Sequence, residues 1–158
     1  MLVDFLKEFK SIVLSTIDKN SNPFTSYAPY IKNDAKYYVY LSSMARHTQN
    51  LDKNNNVSLF FIEDEISCAN IFGRKRAVIQ ANAKKLPRDT KEFETLISIF
   101  EKEHGATMNM LKSMKDFSIY EFKPYGGEAV FGFGEAYDIG GENFDELIDR
   151  KGQTGHKK

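Results

Sequence analysis

Three histidines (His47, His104 and His156) and two arginine-bearing segments hold the side chains of this 158-residue chain that could do chemistry. No histidine belongs to an H-E-x-x-H or Cys/His pattern, so a structural zinc site is not expected. His156 stands in "DRKGQTGHKK", residues 149–158, among four positive charges and two glycines. A basic terminal segment is ordinarily solvated. Gly152 and Gly155 also let it fold back through backbone angles that other residues resist. Arg74 and Arg76 flank Lys75 where a strand should begin, and alternation would turn both guanidinium groups toward one carboxylate or phosphate. The plainer reading is an exposed strand end carrying charge. Arg46 and His47 follow another strand, beside the hydroxyls of Ser42 and Ser43. Two such clusters favour an anionic ligand and leave the anion open.

The remaining candidates read as structural. His104 precedes Gly105 at the end of a helix, where a cation relieves exposed carbonyls. Glu63, Asp64 and Glu65 read as a solvated strand end, with no fourth carboxylate near in sequence. Cys68, the only cysteine, excludes an internal disulfide and suits a packing role. Gly132 and Gly134 in "VFGFGEAY" lack the strand-turn-helix context of a phosphate cradle and read as a coiled barrel strand.

The elements that must position these groups follow from the pattern. Leu2, Phe5, Leu6 and Phe9 have helical spacing. Strands are expected at residues 11–18, 23–31, 36–43, 57–65 and 74–86, the fourth buried on both faces. "MARHTQNL" reads as a short helix. Asp89 and Glu92 form a capping pair for a helix whose apolar face is Phe93, Leu96, Ile97 and Phe100. A second short helix precedes the last two strands, "FSIYEFKP" and "EAVFGFGEAYDI", joined by a turn at Tyr125–Gly127. Strands outnumber helices and most links have hairpin length, which argues for an antiparallel sheet, a small barrel with appended helices. One domain over residues 1–148, with the tail 149–158 attached, is expected.

Composition narrows the partners. Lys plus Arg equals Asp plus Glu at 22 each, so no global field attracts nucleic acid or an acidic membrane. The longest purely apolar runs, such as "LFFI", are too short to span a bilayer. "MLVDFLKEFK" lacks a signal-peptide core, and with a single cysteine this makes the cytoplasm the expected location.

Taken in order, "SYAPY", "SSMARHTQNL", "VSLFFIEDE", "FGRKRAVIQANA", "FGFGEAY" and the closing "GH" resemble the haem-utilisation proteins of the HugZ and HutZ type. These belong to the split-barrel superfamily named after pyridoxamine-phosphate oxidase. The likeness runs from about residue 11 to residue 156, and the compact chain is similar to the HutZ form. The resemblance implies a mainly β (α+β) fold, an antiparallel six- to seven-stranded split β-barrel with flanking helices. It implies a homodimer with a haem in each of two clefts between subunits, and oxygen-dependent ring cleavage with iron release, driven by an unknown electron donor. It further implies that His156 is the axial iron ligand, and that Asp116 of the other subunit hydrogen-bonds it. Arg76 would then face the haem, with Arg74, Arg46 and His47 as further cofactor-binding candidates. A carboxylate on the far nitrogen of an iron-bound imidazole fixes its tautomer and raises its basicity. An arginine opposite could stabilise a developing oxyanion or clamp a propionate.

Two other functions fit parts of the same pattern. A flavin oxidoreductase would hold the phosphate of flavin mononucleotide (FMN) with Ser42, Ser43, Arg46, Arg74 and Arg76. A haem carrier would use the same axial histidine without turnover.

Overall fold

Residues 1–150, which the computed structural model describes, form one antiparallel sheet flanked by short helices. In chain order these are α1 (Leu2–Leu6), β1 (Ser11–Ile17), β2 (Pro23–Asn33), β3 (Lys36–Ser42), α2 (Arg46–Lys53) and β4 (Asn56–Ile62). Then come β5 (Arg76–Lys85), α3 (Lys91–His104), α4 (Ala106–Leu111), β6 (Phe117–Val130), β7 (Ala136–Gly140) and β8 (Glu146–Asp149). Two 3₁₀ turns, Glu65–Ser67 and Ile71–Gly73, lie in the β4–β5 loop.

The strand order is β3-β2-β1-β4-β5-β6-β7-β8, and a further β3–β6 pairing closes the first six strands into a barrel. β7 and β8 extend it as two extra strands, so the sheet has one strand more than the upper expectation. β8 was hidden because Glu146–Asp149 is short and half acidic, a poor strand by propensity.

Two cores lie on the two sides of the barrel wall. Inward residues such as Leu14, Val39, Leu59, Phe61, Ile79 and Phe122 fill the barrel. Outside it, Ile31, Tyr38, Tyr40 and Ile119 pack against the α3 residues Phe93, Leu96, Ile97 and Phe100, the helical face expected from their spacing. The strand buried on both faces is therefore β3. β4 instead alternates between buried and partly accessible positions.

Other expectations shift. The N-cap of α3 is Thr90, whose Oγ1 accepts the Phe93 N–H at 3.1 Å, in place of the Asp89–Glu92 pair. Tyr125–Gly127 is no turn: β6 runs through it continuously, with an irregularity of register opposite Gln80 and Ala81. The reversal lies instead at residues 131–135, where Glu135 N donates to Gly132 O at 3.0 Å and Gly134 takes φ 77°. Gly132 and Gly134 thus build a hairpin turn, where a left-handed residue is needed.

Candidate functional site

The cationic candidates fall into two groups, one at each end of β6. At its start, Ser42 pairs with Phe117. There Asp116 Oδ2 accepts the Ser42 hydroxyl at 3.0 Å, and its carbonyl accepts the Ser43 N–H at 2.8 Å. Asp116 is exposed, so these bonds fix the carboxylate and leave it reachable. α2 caps this end of the barrel. His47 Nδ1 lies 2.8 Å from Ser26 Oγ, and burial lowers its pKa below the ordinary histidine value, favouring a neutral ring. The Arg46 guanidinium lies 5.5 Å from the Phe24 ring centre, within cation–π range. Tyr120, also near this end, donates to Asp52 Oδ1 at 2.6 Å, and burial with that bond raises its pKa.

At the other end of β6, Val130 pairs with Arg76. Arg76 shares the outward side of β5 with Val78, and its Nη1 donates to the Arg74 carbonyl at 2.9 Å. Arg74 precedes the strand, so alternation does not align it with Arg76. Its guanidinium donates to the Glu63 carbonyl, the Nε bond being 3.0 Å, and pairs with Glu65 at 3.4 Å. Arg74 therefore braces the β4–β5 loop. In the same loop Cys68 Sγ donates to Glu65 O at 3.1 Å. Gly73 lets the loop dock: a Cβ there would stand 2.7 Å from the Phe133 backbone nitrogen. Glu63 is equally committed, its Oε1 accepting the Lys75 N–H at 2.8 Å. No group of His, Cys, Asp and Glu suited to a metal ion occurs among the described residues.

Between the two ends lies a partly accessible patch of sheet. Cross-strand registers align Tyr27, Val13, Phe60, Val78, Glu128 and Asp138 in one row over β2, β1, β4, β5, β6 and β7. Tyr27 is 67% exposed and Val13 36%. At the acidic end of this row Arg150 donates to Asp138 Oδ1 at 3.0 Å and pairs with Glu128. Its pKa is raised by these two partners. The described chain thus ends on the same row that passes Val78, two residues from Arg76. Sequence reasoning missed this anchor, because Glu128 and Asp138 are brought to Arg150 only by strand pairing. His156 lies outside the described residues.

Arg76 and Asp116 consequently do not meet within one protomer. About 13 strand steps separate their positions along β6, up to roughly 40 Å of extended chain. Within one protomer, likewise, Ser42, Ser43 and Arg46 stand near the start of β6 and Arg74 and Arg76 near its far end. His104 is also placed differently from expectation: its Nε2 lies 2.7 Å from the Tyr30 carbonyl on β2, so it ties α3 to the barrel and does not cap its own helix.

The sequence model of a family described as pyridoxamine 5'-phosphate oxidase matches residues 1–131. Haem oxygenase HutZ of Vibrio cholerae is 34% identical over 155 residues, which span 98% of this chain and 87% of that protein. The crystal structure of Vibrio cholerae HutZ, there called a haem storage protein, has a TM-score of 0.76 at 32% identity, over 83% of this chain and 92% of that one. Campylobacter jejuni ChuZ has a TM-score of 0.85 at 32% identity, over 99% of this chain and 64% of that one. A haem binding protein from Mycobacterium smegmatis, at 17% identity and a TM-score of 0.77, shares the fold.

Proposed function

We propose, from the premise that this chain belongs to the pyridoxamine 5'-phosphate oxidase family and to its HutZ-like branch, that it is a haem-utilisation protein acting as a haem-degrading oxygenase. Haem is the ligand, and in this reading also the substrate. Haem, when bound, supplies the iron at which oxygen and donated electrons act on the porphyrin ring.

The observation that carries the reading is the separation of Arg76 from Asp116. A site using both needs two chains, one contributing Arg76 and the root of its tail at Arg150, the other contributing Asp116. The bare row of Tyr27, Val13, Phe60 and Val78 is the surface we assign to the homodimer. Its aromatic residues, Tyr27 and Phe60, are of the kind enriched at the core of interfaces. A flat apolar molecule with an anionic edge suits such a surface with a guanidinium at its margin. Arg76 can meet a propionate or a developing oxyanion there. His156 is the sixth residue after Arg150, a reach of up to about 20 Å. The His156 imidazole would hold the haem iron, and the Arg150 clamp fixes where the tail starts. Asp116, already held by Ser42, would accept a hydrogen bond from the other nitrogen of the partner's imidazole and set its tautomer. His47 and Arg46 order the α2 cap beside that carboxylate.

Haem storage is the competing activity, favoured by the name given to the Vibrio cholerae crystal structure. The test is anaerobic haem titration, followed by oxygen and a reductant such as ascorbate. The expected result is a stoichiometric Soret band that bleaches with release of chelatable iron. His156→Ala should abolish both the band shift and turnover. An intact porphyrin after prolonged exposure would establish storage, and undiminished cleavage by His156→Ala would overturn the ligand assignment.

A further inference from the structure

One cavity in the fold has no part in this site. It measures about 660 Å³ and lies between α1, the end of β2, the β2–β3 turn and the end of α3. Leu6, Phe9 and Tyr30 supply an apolar wall, and Lys7, Lys10, Lys32 and Lys102 stand around it with Asp34 and Glu103. The local sequence builds it. Asp34 and Ala35 take φ of 49° and 63°, which folds the β2–β3 turn back tightly, and His104 ties the end of α3 to Tyr30.

Four lysines line the cavity with two acids, a third acid, Asp145, acts on Lys32, and none of the four lysines forms an ion pair among the described residues. Lys32 is half-buried, with Nζ 5.3 Å from the centre of the Tyr37 ring. Burial lowers its pKa, Asp145 partly restores it, and the nearby Lys7 lowers it further. Concentrating unpaired like charge around a concave, partly apolar site is unfavourable without a counter-charge. Ammonium groups on flexible stems suit phosphate or carboxylate as point charges. The apolar wall suits the body of an organic molecule.

We infer that this cavity binds an organic anion, its phosphate or carboxylate held by Lys7, Lys10, Lys32 and Lys102 and its apolar body lying on Leu6, Phe9 and Tyr30. It shares no residue with Arg46, His47, Arg74, Arg76 or Asp116, so it stands independently of the haem reading.

The test uses the full chain without haem and the fluorescent anion 8-anilinonaphthalene-1-sulfonate. Saturable one-to-one binding is expected, weakened at least tenfold in Lys32→Met and preserved in Lys32→Arg. Pyrophosphate should displace the probe if phosphate is preferred, and decanoate if carboxylate is preferred. The urea midpoint and the haem Soret titration of Lys32→Met should match the wild type, which separates this outcome from failure of the haem reading. Should Lys32→Met not fold, the double variant of the exposed Lys7→Met and Lys10→Met must weaken the probe instead. Equal probe affinity in the variants and the wild type, or displacement by neither anion, would overturn the inference.

Discussion

One half of the barrel's outer surface is sealed by helices while the other half stands bare, although both carry large apolar side chains. Under α3, the outward residues Ile31, Tyr38, Tyr40 and Ile119 are 0–9% exposed and meet Phe93, Leu96, Ile97 and Phe100. On β1, β2, β4 and β5, Val13, Tyr27, Phe60 and Val78 face outward among Ser15, Ser58, Thr25 and Gln80. The sealed half is almost purely apolar, as a core must be. The bare half mixes apolar with small polar groups, which tolerates water in a lone protomer and still gains by association. Reading the two together separates what holds the fold from what is offered to another molecule.

The largest effect expected on this contrast comes from the sealed half. Phe100 is 1% exposed, so Phe100→Ala should cost about 3–5 kcal/mol through lost transfer and a residual cavity. Urea denaturation checks this, and Tyr27→Ala on the accessible half should lower the midpoint far less. A midpoint loss as large for Tyr27 would erase the distinction.

Val13→Asp probes the bare half from the other side. Val13 is already accessible, so circular dichroism should report an intact protomer. Burying an unpaired charge in the proposed dimer should break it, a penalty of about 3–5 kcal/mol on association. Sedimentation velocity should find monomers, and haem affinity should fall on the order of a hundredfold. A dimer that survives with full haem affinity would move the interface elsewhere.

The smallest effect concerns the α2 cap, beside the row at its Ser26 margin. Burial lowers the pKa of His47, so the unfolded chain binds its proton more readily than the fold does. That contribution to stability is complete above the unfolded histidine value near 6.5 and is lost as pH falls below it toward the folded value. Urea midpoints at pH 7.5 and 5.5 should therefore differ more for the wild type than for His47→Gln. Identical slopes would mean that the ring takes up its proton in place.

Local pattern carried much of this far. The spacing of Phe93, Leu96, Ile97 and Phe100 announced the helix face that seals β3, and the strand runs located the first five strands and the start of the sixth to within a few residues. It failed where a local signal had two meanings. Gly126 and Gly127 look like a turn but sit in a continuous strand, and Gly132 and Gly134 look like a strand but make the turn. Periodicity cannot separate an irregular strand from a reversal, because both need residues without side-chain demands. Arg74 and Arg76 looked equivalent until the loop occupied one of them. Asp89 competed with Thr90 for one cap, and the adjacent hydroxyl won.

The sequence alone determined which groups are available, namely a barrel-forming set of strands, an amphipathic helix, paired cations and a basic end bearing His156. Only the tertiary structure decided that Arg76 and Arg150 share one edge of a bare row while Asp116 lies at the far end of β6. It alone decided, too, that four lysines from separate elements surround one cavity. Such juxtapositions depend on strand register and barrel closure, which are set by contacts between residues far apart in the chain and leave no mark on local pattern.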